Sequence, residues 1–117
     1  MTQLDDIIKR LEKAAEGSRS LDRAVTDYLD PEDARGRHWG LDYPHLTSDL
    51  NAALALVEEK LASLDIYLTK HRKEGCGAEL VYVRNRLPRS ARSEGQATLP
   101  LALLIALLTA LKEQNNG

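Results

Sequence analysis

Hydrophobic positions along the chain repeat with a helical period, then with a strand period, and near the end they run together without interruption. Leu4, Ile7, Ile8, Leu11 and Ala15 form one stripe at helical spacing, with Lys9, Arg10, Glu12 and Lys13 on the other. Thr2 and Asp5 are placed as reciprocal caps of this first helix, and Gly17 as its left-handed stop. A second helix is expected from Ser18 or Ser20, with Leu21, Val25, Tyr28 and Leu29 on a narrow apolar face. The short joint Gly17-Ser18-Arg19-Ser20 makes residues 1–30 a helical hairpin. Asp30-Pro31 ends it, because a residue before proline resists helical angles.

Residues 31–46, PEDARGRHWGLDYPHL, keep no period, and Gly36, Gly40 and Pro44 punctuate them. A short strand from His38 to Tyr43 is the only regular element expected there. Helical spacing returns over 47–63. Thr47 or Ser48 is the expected cap, and Leu50, Ala53, Leu54, Val57 and Leu61 the buried face. From Leu64 the pattern alternates, with Leu64, Ile66 and Leu68 facing inward. AELVYVR, residues 78–84, is a second β-rich run. Gly75-Cys76-Gly77 reads as the turn between them, so 64–84 is expected to be a β-hairpin. Residues 85–97, NRLPRSARSEGQA, read as a polar connection. Thr98 and Pro100 then open a last helix over 98–114.

That helix contains LPLALLIALLTAL, 13 residues from Leu99 to Leu111 without a charge. A membrane span needs about 20, so a helix buried on more than one side is expected. It lies either centrally within the domain or against a second subunit. The opening MTQLDDIIKR shows no basic start followed by an apolar run, so the expectation is a cytoplasmic protein with no membrane contact. With 117 residues, one domain is expected. The fold class is α+β: about four helices on a small antiparallel sheet, in α-α-(β)-α-β-β-α order and sandwich-like. Phe is absent and there is one Trp, so the core is aliphatic.

Three blocks of this sequence also resemble a known family. LEKAAEGSRSLDRAV resembles the opening helix, glycine-serine-arginine joint and LD-containing second helix of small proteins from bacteriophages, prophages and alphaproteobacterial genomes. Tyr43-Pro44 through LTSDLNAALALV resembles their middle segment, and ATLPLALLIALLTAL their closing helix. The family is described as a phage α-β-α ("ABA") sandwich domain of uncharacterised function. The resemblance spans nearly the whole length through about half of the residues. It implies a phage- or prophage-type accessory protein and, by context alone, an antagonist of a host defence complex. It implies no catalytic residue. One departure is EEKLASLDIYL, which lacks the proline, glycine and tryptophans that often follow the middle helix in such relatives.

Charge adds a polarity that the net value of −2 hides. Residues 1–34 carry five basic and nine acidic side chains, net −4. Residues 70–92 carry Lys70, Arg72, Lys73, Arg84, Arg86, Arg89 and Arg92 against Glu74 and Glu79, net +5. Such a stretch suits phosphates, with Tyr67 and Tyr82 placed to stack on bases. It equally suits an acidic protein partner, and the plainer reading is a solvated hairpin. A pI of about 5.9 counts against a dedicated nucleic-acid binder.

Other chemistry finds little support. His38, His45, His71 and Cys76 lack the paired spacing of a zinc site, so no metal and no cofactor are expected. Cys76 has Arg72 and Lys73 nearby, and His71 as its only local base, and is expected to be an exposed thiol without a role. Asp42, Asp49, Glu58 and Glu59 form no acid–base pair that spacing would reveal. GSRS and GCG lack the spacing of a phosphate loop. Arg37, Trp39 and Tyr43, with Arg35 and His38, are the candidate protein-interaction residues, because Trp, Tyr and Arg dominate binding hot spots. A non-enzymatic protein acting on a protein partner or as a homodimer is the leading expectation, ahead of a nucleic-acid binder.

Overall fold

A computed structural model of the chain describes residues 3–29, 45–61, 65–71, 73–84 and 86–116. The expected strand from His38 to Tyr43 and the inward-facing Leu64 lie outside these residues, as does the cap at Thr2. Four helices and three strands are present among those described, in the order α1 (Gln3–Lys13), α2 (Arg19–Leu29), α3 (Leu50–Lys60), β1 (Asp65–His71), β2 (Gly75–Arg84), β3 (Leu87–Gln96) and α4 (Leu99–Asn116). The strands form one antiparallel sheet in the order β1-β2-β3.

α4 occupies the middle layer. It packs along β2 and β3 and, less extensively, β1, while α1 and α3 pack against α4 and α2 packs against α1. Every residue from Leu101 to Leu108 is buried, and so is Ala110. An apolar helix without a polar stripe needs cover all round, and here the sheet and the other helices supply it within one chain. Thr98 opens α4, its Oγ1 accepting from the Leu101 N–H at 3.4 Å.

The helical stripes fall largely where the periodicity puts them. Leu4, Ile7 and Leu11 of α1, Leu21 and Val25 of α2, and Ala53 and Val57 of α3 are buried. Leu56 is buried too, a position outside the expected stripe. α1 ends at Lys13, four residues short of Gly17, and Gly17 is not in the left-handed region. A Cβ there would lie 2.2 Å from the Thr47 carbonyl oxygen, so glycine is required by a close backbone approach rather than by a helix stop.

The sheet differs from the expected hairpin in two ways. Gly75-Cys76-Gly77 is the start of β2, paired with His71, Lys70 and Thr69, and Lys73-Glu74 belongs to the turn. Residues 87–96 are a third strand instead of a polar connection. Only Ala91 and Ser93 of β3 are buried, and both are small enough for α4 to come close. Ser93 Oγ donates to the Ala102 carbonyl of α4 at 2.6 Å. Near the end of β3, Glu94 and Gly95 together oppose Gly77, and Gly95 has a φ of 71°. A bulge with a left-handed glycine adds one residue and re-aims the strand.

Candidate functional site

The seven basic residues of 70–92 do not form one patch. Lys70 pairs with Cys76 beside the β1–β2 turn, which also holds exposed Lys73. Arg84 pairs with Leu87 at the opposite end of β2, next to Arg86, and Arg89 pairs with Tyr82. The ten residues of β2 separate these ends by about 30 Å. Arg92 lies between them, opposite Glu79, and forms an ion pair with Glu94. Arg72 lies outside the described residues, as do Arg37, Trp39 and Tyr43.

The aromatic partners divide as well. Tyr67 is 55% exposed, whereas Tyr82 is only 1% exposed beneath α4 and cannot stack on a base. The expected exposed thiol is also overturned. Cys76 is buried on the core face of β2, its Sγ 4.0 Å from the Ala97 carbonyl oxygen. An inward position at the strand's start puts it among Ala78, Leu80 and Tyr82, the other inward residues of β2.

The outer face of the sheet carries a shallow groove of about 530 Å³, lined by Thr69, Glu74, Gly75, Gly77, Arg92, Glu94 and Gly95. The bulge and three glycines leave its floor largely backbone. Its two glutamates and single arginine, already paired with Glu94, give it no strong charge preference. At the other end of the sheet, the described β1–β2 pairing reaches Asp65 with Val81. Beyond that point the β2–β3 pairs Tyr82–Arg89, Val83–Pro88 and Arg84–Leu87 lead to the hairpin end. Val83 is 44% and Leu87 55% exposed there. Neither Arg86 nor Arg89 has an ion-pair partner among the described residues.

A polar knot that spacing alone does not reveal joins the helical hairpin to the entry of α3. Asp22 and Thr47 are both fully buried. Asp22 Oδ1 accepts from the Thr47 N–H at 2.8 Å and from Thr47 Oγ1 at 2.6 Å. Its other oxygen accepts from Arg19 Nη1 at 2.9 Å. The Ser18 N–H donates to Thr47 Oγ1 at 2.9 Å, and Ser18 Oγ accepts from the Leu21 N–H, capping α2. Thr47, used in this way, does not cap α3. Asp49 does, its carboxylate accepting from the Asn51 N–H. The only clue in the sequence is the pairing of Gly-Ser-Arg-x-Leu-Asp with a later Thr-Ser, both of them helix-start signals.

No three His, Cys, Asp or Glu side chains gather to hold a metal among the described residues. No helix among them is long and apolar enough to cross a membrane. The surface features described are a split array of cations, an open sheet face and a hairpin end. No protein-family model, curated protein or solved structure matches the chain.

Proposed function

We propose that this is a non-enzymatic accessory module of the phage or prophage type, acting in the cytoplasm by binding another protein. The observation that carries the binding reading is the exposure of Tyr67 and Val83 on the sheet face away from α4, and of Leu87 at the β2–β3 hairpin end, the exposed large hydrophobic side chains among the described residues. Exposed aromatic and aliphatic groups rimmed by polar ones are what protein interfaces use. The phage context rests on the three sequence blocks alone. Two of them, around Gly17–Asp22 and Thr47, meet in the buried knot. Antagonism of a host defence complex is one role open to such a module.

Nucleic-acid binding is the second reading, favoured by exposed Arg86 and Arg89. Against it stand the burial of Tyr82 and the division of the cations between two ends of the sheet. Affinity capture from the source organism, with and without nuclease, separates the two. A protein retained after nuclease treatment and lost on Tyr67→Ala with Leu87→Ser supports the module. Recovery of nucleic acid alone, or of nothing above background, overturns it.

A further inference from the structure

We infer that the sheet face away from α4 docks a basic segment of a partner protein, with a guanidinium seated between Tyr67 and Glu79 and an aliphatic side chain on Val81 and Val83. This rests on the protein-binding reading and supplies its chemistry. It also reverses the sign that the basic stretch 70–92 suggests, because strand alternation sorts the charges of that stretch.

Side chains alternate between the two faces of a strand, and residues directly opposite each other share a face. Cys76, Ala78, Leu80, Tyr82, Ala91 and Ser93 are buried toward α4. Lys70 lies opposite Cys76 and Arg89 opposite Tyr82, so both belong to that register and reach solvent at its rim. Lys73 and Arg86 are in turns. The other register carries Asp65, Tyr67 and Thr69 on β1, Glu79, Val81 and Val83 on β2, and Pro88, Ser90 and Arg92 on β3. Glu94 joins this face in the groove beside Arg92 and Gly77. Asp65, Glu79 and Glu94 thus stand there against Arg92, a net of −2, and Arg92 is already paired with Glu94. The groove alone has no strong charge preference, but the whole face does.

The register also places an aromatic ring beside a carboxylate. Tyr67 is directly opposite Glu79, with Cβ atoms about 5 Å apart. Tyr67 is 55% exposed, and Glu79 is half-buried in the middle strand. A guanidinium can lie on a ring and pair with a carboxylate at the same time, which an ammonium does less well. One step along β2, about 7 Å away, Val81 and then Val83 continue the face, with Pro88 opposite Val83. The occupant therefore carries an arginine and an aliphatic side chain about that far apart. Phosphates are repelled by the same carboxylates, so nucleic acid does not fit this face.

The test replaces Ser90, exposed on this face, with a photoreactive benzophenone side chain in the full chain. Control versions carry it at residue 59 on exposed α3 and at residue 87. Each is irradiated in lysate of the source organism. A protein adduct is expected at 90 well above that at 59, mapped to a segment rich in Arg or Lys with aliphatic neighbours. Its yield should fall about tenfold with Glu79→Lys. Glu79→Gln, which sets no cation opposite Arg92, should lower it severalfold with an unchanged melting temperature. Tyr67→Ala should also lower it severalfold, whereas Tyr67→Phe keeps the ring and the yield. Arg92→Gln frees Glu94 and should raise the yield. A nuclease-sensitive adduct, a lipid adduct, an acidic cross-linked segment, or a yield indifferent to Glu79→Gln overturns the inference. A protein adduct at 87 alone overturns it and leaves the protein-binding reading standing. No protein adduct at either 90 or 87 overturns both.

Discussion

Asp22 shows how one side chain joins distant parts of the chain. It is fully buried, yet its two oxygens meet the Thr47 N–H, the Thr47 hydroxyl and the Arg19 guanidinium. Asp22→Ala strands the buried Thr47 donors and is expected to destabilise the protein by about 3 kcal/mol in urea unfolding. Asp22→Asn keeps an acceptor toward Thr47 and loses mainly the contact with half-exposed Arg19, so about 1 kcal/mol is expected. Equal losses for the two variants would show that the charge outweighs the hydrogen bonds. Gly17→Ala pushes a methyl onto the Thr47 carbonyl, where backbone must give way, and should lose about 2–3 kcal/mol. Thr26 is the opposite case. Its hydroxyl is buried without a hydrogen-bond partner, so Thr26→Val should raise stability by about 1 kcal/mol in the same measurement.

Among the elements, α4 is the one whose environment its composition dictates. Ile105 is 4% exposed in the middle of a fully buried run. Ile105→Lys puts an unpaired charge there and is expected to abolish cooperative folding, seen as loss of the thermal transition in circular dichroism. The helices are legible in the sequence because each carries apolar spacing and a cap signal, as with Ser18 before Leu21 and Thr98 before Leu101. β3 is not. Its buried residues are Ala91 and Ser93, too small and polar to produce an alternating hydrophobic signal, and they fit only because α4 lies against them. The burial of Cys76 is hidden for a related reason. Flanking glycines suggest a turn, but Gly77 instead lies close against both neighbouring strands, where a Cβ would come within 2.8 Å of Thr69 Oγ1 and 2.9 Å of the Ser93 carbonyl oxygen. The cations at the candidate site are visible in composition, whereas their separation follows from strand direction, which local sequence does not encode.

At the scale of the whole molecule, the sheet and the outer helices are joined through α4, which touches both. Opening either layer alone would expose one side of an eight-residue apolar run, at roughly 1.5–3 kcal/mol for each fully exposed leucine. The backbone amides from Leu103 to Leu108 are therefore expected to exchange with solvent only by global unfolding, with protection matching the unfolding free energy. Faster exchange in α4 than in β2 would show that the layers separate before the protein unfolds. The same burial bears on association. An apolar run left half covered would call for a second copy, but every residue from Leu101 to Leu108 is already enclosed by its own chain. α4 is thus no reason for the protein to dimerise, and its end is further tied to α1 by the Lys112–Asp5 ion pair. Sedimentation velocity should give a single monomer whose coefficient does not change with concentration. If a dimer forms instead, its contacts belong to the exposed surfaces. Leu87→Ser with Tyr67→Ala should then dissolve it without lowering the melting temperature, because neither side chain is part of the buried core.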